Sequence, residues 1–224
     1  MSLLDHGYNL ILIYLLMGLV GNLYETILYL VREHRFVMSN GSVTTPFNFV
    51  YGCGGVLVCL VLSFIWTHPF AVYFVSALLG GVAEYTVASL ERWICHTKSW
   101  DYSGRILNIG GKTTVPIMLL WGILGMVSVY FFYIPLVANV INPYFLDTSY
   151  HALCYHATLL AVGSYVILDL IFTLMVMVRH QKRHDKIPPK TPLGRLIDDK
   201  CNDHYMSIHF PNAKFPDQNK KKEI

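Results

Sequence analysis

Residues 77–122 read ALLGGVAEYTVASLERWICHTKSWDYSGRILNIGGKTTVPIMLLWG, an apolar helix, a short polar loop and the start of a second apolar helix. Glu84 and Glu91 lie seven residues apart inside the first of these. That spacing puts them on one helical face with Ala77, Gly81, Ala88 and Cys95. An ionisable group at membrane depth is costly, so it faces protein or a wet cavity and marks a candidate site.

The rest of the chain makes a membrane the expected surroundings. Of 224 residues, 54% are hydrophobic and only 14% are charged, with a mean hydropathy of +0.44. A soluble domain carries roughly 25% charged residues. The apolar residues fall in runs of about 20, the length of helix that crosses a bilayer. Five such runs are expected as transmembrane helices, at about 8–31, 49–67, 70–95, 114–136 and 153–178, within a transmembrane domain of residues 1–178. The fold expected is an all-α integral membrane bundle. The first run is expected to remain as helix one rather than to be cleaved, because nothing basic precedes it and it ends in Arg32-Glu33-His34-Arg35.

The basic residues set the expected orientation. None lies before helix one, between the second and third runs, or in 137–152. They occupy instead Arg32 and Arg35, then Arg92, Lys98, Arg105 and Lys112, then a tail holding eleven more. The alternation predicts an outside N-terminus and a cytoplasmic C-terminus. Residues 179–224 form a basic tail, +5 against −2 for the remainder, and their Pro, Asp, Asn and Lys content predicts a largely disordered segment. Its charge suits anionic lipid, at about 1 kcal/mol per residue near the surface, without any need for nucleic acid. The five cysteines are scattered, and no disulfides are expected.

An internal repeat is also legible. Residues 19–33 align with 78–92 at an offset of 59, pairing Gly21 with Gly80 and Glu25 with Glu84. At an offset of 70, Gly41, Pro46, Tyr51-Gly52 and Gly55 match Gly111, Pro116, Trp121-Gly122 and Gly125. This is a tandem unit of helix, loop and helix, followed by one additional helix. Its two copies share an orientation and would be related by an axis along the membrane normal, bringing Glu25 towards Glu84. The loops 33–48 and 93–113 are expected to fold over the inner mouth of the bundle.

The order Glu25, Asn40-Gly41, Pro46, Tyr51-Gly52-x-Gly54, Glu84, Glu91, Trp100-Asp101-Tyr102-Ser103, Asn108, Gly111, Trp121-Gly122 resembles the putative ABC-transporter type IV (CmpB-like) membrane family, which includes the transmembrane-protein-229 group of animals. The resemblance covers about residues 14–135. The family pattern has Asn-Arg-Gly, Gly-Pro and Cys-Pro-Ile-Tyr-Gly where this chain has Ser39-Asn40-Gly41, Thr45-Pro46 and Asn48-Phe49-Val50-Tyr51-Gly52. Lys112 replaces a common arginine. The resemblance implies a permease-like component that works with a separate ATPase or another membrane subunit.

The expected substrate or ion path comprises Glu25, Glu84, Glu91, Asp101, Arg105, Asn108, Lys112, Asn40, Tyr51, Trp100, Tyr102 and Trp121. Two carboxylates close together in a low dielectric cannot both ionise cheaply, which suits a proton relay, a cation site or an acid/base pair. The structural alternative pairs each acid with Arg32, Arg92, Arg105 or Lys112. Asp101 would orient Lys112 or Arg105 onto a phosphate or headgroup, or the Trp-Asp-Tyr-Ser turn would be an interfacial anchor. Asp169 is read as the partner of a polar group on another helix. His151, Cys154 and His156 are poorly spaced for one helical face, and neither a metal nor a cofactor is expected.

No Gly-x-x-x-x-Gly-Lys-Ser/Thr loop occurs, which excludes an ATP-driven motor in this chain; Gly-x-Ser-x-Gly and His-Glu-x-x-His are also missing. Three functions fit. The first is a permease-like transport component, in the cell membrane if the source is bacterial. The second is an intramembrane enzyme or handler of lipids or lipid-linked headgroups, and the third a non-catalytic scaffold. A homo-oligomer is compatible with each.

Overall fold

The computed structural model describes residues 3–34, 36, 41–62, 65–146 and 148–215. Asn40, Arg35 and Asp147 lie outside them. Among the described residues the chain is helical apart from one hairpin of two-residue strands and an isolated bridge between Lys98 and Lys214. In order it forms α1 (Leu3–Glu33), α2 (Phe49–Leu62), α3 (Pro69–Ile94), β1 (Asn108–Ile109), β2 (Thr113–Thr114) and α4 (Val115–Val127). A π-helical stretch, Ser128–Ile141, runs on from α4 into the single turn α5 (Asn142–Phe145). Then come α6 (Ser149–His184), α7 (Pro192–Lys200) and α8 (Asp203–His209).

Four of the helical stretches are long and apolar enough to cross a membrane: Gly7–Val31, Pro69–Ile94, Val115–Phe145 and Ser149–His184. The fifth, α2, is as apolar but has 14 residues, about 21 Å of helix. The run expected at 49–67 therefore gives a shorter helix, with a turn at 65–67 leading to Pro69. Helix α3 is mostly small or polar inside and greasy outside. On α3, Ser76, Gly80, Gly81, Ala83 and Glu84 are buried, while Phe74, Leu78 and Val82 are exposed. An outward apolar surface of that kind belongs against lipid, where small inward residues let helices approach.

The helix starts follow from side-chain caps. Asn48 Oδ1 accepts from Val50 N at 3.0 Å, Thr114 Oγ1 from Ile117 N at 3.2 Å and Thr148 Oγ1 from His151 N at 3.2 Å. Each supplies an acceptor for an amide that the first turn leaves unpaired. Asn139, Asn142 and Pro143 suggest a loop over 137–152, yet the helix continues to Phe145. Pro143 sits in the first turn of α5, where no backbone donor is required, so it does not break the chain's course.

The pairs α1/α2 and α3/α4 repeat the same contacts. A Cβ built on Gly21 would lie 2.2 Å from Tyr51 Cγ, and one on Gly80 would lie 2.2 Å from Trp121 Cγ. Gly52 meets Tyr14 Cε2 at 2.7 Å and Gly122 meets Tyr73 Cε2 at 2.8 Å. Gly55 abuts Met17, and Gly125 abuts Ser76. In all three cases the first-helix residues differ by 59 positions and the second-helix residues by 70.

The tail also has structure. Its composition predicts disorder, but α7 and α8 pack on the end of α6 with Ile197, Cys201 and Met206 buried beside Cys95, Val176 and Met177. Asp198 joins them electrostatically. It accepts from Arg179 Nε at 3.0 Å, Arg179 Nη2 at 2.5 Å and Arg183 Nη1 at 2.8 Å. Arg183 also donates to Asp203 at 2.9 Å and to the Cys201 carbonyl at 2.8 Å. One buried residue per turn is too sparse a pattern for composition to register. The Thr191-Pro192 and Asn202-Asp203 caps were the available signals. The described cysteines are all free thiols.

Candidate functional site

Two carboxylates, one from each helical pair, each accept a hydrogen bond from a tyrosine. Tyr51 OH donates to Glu25 Oε1 at 3.0 Å, and Tyr102 OH donates to Glu84 Oε1 at 3.1 Å. Glu84 is buried and takes a second bond from Thr113 Oγ1 at 2.5 Å. The two tyrosines reach their acids by different routes. Tyr51 is on α2, facing Glu25 on α1. The residue 70 positions later is Trp121, whose ring lies 5.3 Å from that of Tyr51 and carries no hydroxyl. In the second pair the donor comes instead from the loop, as Tyr102.

Tyr102 is held as the neutral phenol. Burial raises its hydroxyl pKa first, and the charges of Glu84 and then Glu25 raise it further. The phenol stays protonated across the physiological range and so remains a donor to Glu84.

The loop that brings Tyr102 into place is held from α3. Glu91 accepts from Thr97 Oγ1 at 2.8 Å, Ser99 N at 3.1 Å and Ser99 Oγ at 2.9 Å, so it fixes the turn leaving the helix. Arg92 Nη2 donates to the carbonyls of Trp100 at 3.3 Å and Gly111 at 3.0 Å. Trp100 Nε1 donates to the Lys112 carbonyl at 2.8 Å. Asn108 donates to the carbonyls of Ser103 at 3.3 Å and Arg105 at 3.0 Å, and accepts from Gly111 N at 3.1 Å. The hairpin between β1 and β2 turns at Gly110 and Gly111, with φ of +60° and +64°. At Gly111 a side chain would also strike Ser103 Oγ at 2.3 Å, and only glycine meets both demands.

The expected site residues thus separate into two groups. Glu25, Tyr51, Glu84 and Tyr102 come together, with Trp121 against Tyr51. Glu91, Trp100 and Asn108 build the loop, and the partners of Glu84 and Glu91 are hydroxyls and a backbone amide rather than the cations of the structural alternative. Asp101 does not orient Arg105 or Lys112. It pairs with Lys98 at 2.8 Å, three residues before it, and accepts from Ser103 N and Oγ at 3.0 and 2.6 Å. The Lys98 ammonium and Ser103 hydroxyl hold its carboxyl well below the usual carboxylate range. Lys112 donates to Ser89 Oγ at 2.8 Å and lies 4.3 Å over the Tyr85 ring, while Arg105 is exposed. Asn40 is outside the described residues.

Thr113 was missed as a partner of Glu84. The Thr113-Thr114-Val115-Pro116 run signals a helix start, and nothing in it marks Thr113 as facing an acid. Asp169 of α6, expected to partner a polar group on another helix, instead holds the loop before α2. Its carboxylate accepts from Thr44 N and Oγ1 at 3.0 and 2.7 Å, and from Thr45 N and Oγ1 at 3.2 and 2.8 Å. The rings of His151 and His156 stack on Tyr144 and Tyr8, at 5.8 and 4.2 Å.

The tail reaches both loops. Tyr205 OH donates to the Val43 carbonyl at 3.3 Å. Lys98 N donates to the Lys214 carbonyl at 2.9 Å, and Lys214 N to the Lys98 carbonyl at 3.3 Å. No curated protein and no solved structure matches this chain. A family model described as putative ABC-transporter type IV matches residues 12–174.

Proposed function

Because the chain belongs to the putative ABC-transporter type IV family, we propose that this integral, multi-pass membrane protein is a permease-like transport component with an acidic site between its two helical pairs. The observation that carries this reading is the paired arrangement of Glu25 with Tyr51 and Glu84 with Tyr102, an acid answered by a tyrosine hydroxyl in each helical pair. Glu84, a buried carboxylate at membrane depth that accepts from two hydroxyls, is suited to taking up a proton or a cation.

Three further elements belong to the proposal. The recurring glycine contacts of α1/α2 and α3/α4 support a tandem duplication. The short α2 counts as a fifth span, with thinning or tilt accommodating its length. The alternation of basic segments supports an outside N-terminus and a cytoplasmic tail facing anionic lipid. As the chain has no phosphate-binding loop, its driving energy comes from a separate ATPase subunit or an ion gradient.

The test uses membrane vesicles from cells making wild type or Glu84→Gln at matched levels, so that native partners remain. Proton and potassium uptake are followed with entrapped indicators. Uptake present in wild type and lost in Glu84→Gln supports the proposal; identical uptake in both removes Glu84 from the path.

A second reading is favoured by one observation: the polar network lies at the loop end of the bundle, while α2 and α4 beyond it are apolar. That distribution fits a handler of lipids better than a pore. Lipidomics on the same two strains decides, since only the lipid reading predicts a species shifted by wild type alone.

A further inference from the structure

The apolar run of α6 ends at Val178, and Arg179 begins its basic end. A cleft of about 330 Å³ opens at that boundary, between α6 and the start of α7. Leu174, Met175 and Val178 form its apolar wall, and Lys182 and Thr191 stand at its polar rim. Arg179 also borders the cleft, with its Nε and Nη2 turned onto Asp198 and Nη2 also onto the Ile187 carbonyl. Lys182 is exposed and has no ion-pair partner among the described residues. Beside it α7 turns Leu193 and Leu196 outward, 43% and 53% exposed, next to the charged Arg195. A short helix with exposed leucines and basic neighbours, placed where a spanning helix leaves the apolar layer, suits the interface plane of a bilayer.

We propose that this cleft is a binding site for one anionic phospholipid, its phosphate at Lys182 and its acyl chain along Leu174, Met175 and Val178. The apolar wall argues for a lipid over a free anion, and the unpaired ammonium argues for an anionic over a zwitterionic headgroup. The proposal rests on the membrane assignment and is independent of transport. Its failure would leave the Glu84 reading untouched.

The test is native mass spectrometry of the full chain in detergent, titrated with phosphatidylglycerol or phosphatidylcholine. Wild type should retain phosphatidylglycerol preferentially. Lys182→Glu should weaken retention roughly tenfold or more, while Lys200→Glu, the same charge change at the far end of α7, should stay within about twofold. Met175→Trp, which fills the cleft without altering charge, should weaken it as well, and covers the case in which Lys182→Glu fails to fold. Equal losses in the Lys182 and Lys200 variants would overturn the site in favour of a diffuse basic surface. Equal retention of phosphatidylcholine would remove the anionic preference, and displacement of the lipid by millimolar inorganic phosphate would reassign the site to free anions.

Discussion

At the residue scale, the chemistry turns on who answers each carboxylate. Glu84 was legible from the sequence as an acid inside an apolar helix, and Tyr102 as part of a Trp-Asp-Tyr-Ser turn. Their meeting was not, because a helix period cannot say where an 18-residue excursion will return. Glu84→Ala should cost about 1–3 kcal/mol, since the Tyr102 and Thr113 hydroxyls lose a buried acceptor. Glu84→Gln keeps an acceptor in place and should unfold within a few degrees of wild type in detergent. Asp198 gives a pH prediction. Burial alone would raise its pKa, but the Arg179 and Arg183 guanidiniums outweigh this and lower it. A depressed folded value stabilises the tail above the ordinary carboxylate pKa of about 3.9, and that contribution is lost as the pH falls through the folded value. Pepsin, its cleavage normalised at each pH to an unfolded control protein, should cut residues 192–209 increasingly as the pH falls below the ordinary carboxylate value.

At the scale of elements, helical pairing depends on glycines that the alignment of the two units picks out in advance. What the alignment could not supply is how closely the helices approach. Gly80→Ala would drive a methyl group into the Trp121 ring, overpacking that costs about 1–3 kcal/mol. The double variant with Trp121→Ala should recover part of the loss, a coupling measurable by thermal unfolding of the four proteins of the cycle. If Gly80→Ala were as stable as wild type, the tight α3/α4 crossing would be wrong. The tail helices were hidden for the opposite reason: each buries so few residues that its composition reads as solvent-loving. Their caps alone announced them.

For the whole molecule, the class of fold was readable from runs of apolar residues, whereas the span of α2 and the join between α4 and α5 depended on local geometry. An odd number of crossings puts the two ends of the chain on opposite faces. Single cysteines on either side of α3 test whether that helix crosses in the orientation five spans require, in a chain whose own five cysteines are replaced by serine: Thr67→Cys, in the turn before α3, and Gly104→Cys, where an added side chain meets nothing within 4 Å. A membrane-impermeant maleimide should label the first in intact cells and the second only after permeabilisation. Both labelling from one side would remove the five-span topology.

The bonds from Tyr205 to Val43 and between Lys214 and Lys98 carry one more consequence, which concerns time rather than space. Tyr205 and Lys214 both lie beyond all five apolar helices in the chain, so a ribosome adds them only after those helices have been made. At about 5–20 residues per second, the loops wait seconds for their fasteners. A newly made molecule thus passes through a stage in which the loop end of its bundle is unlatched. A chain halted after residue 190 would be held in that infancy, with Lys98 open to trypsin while its helices stand complete.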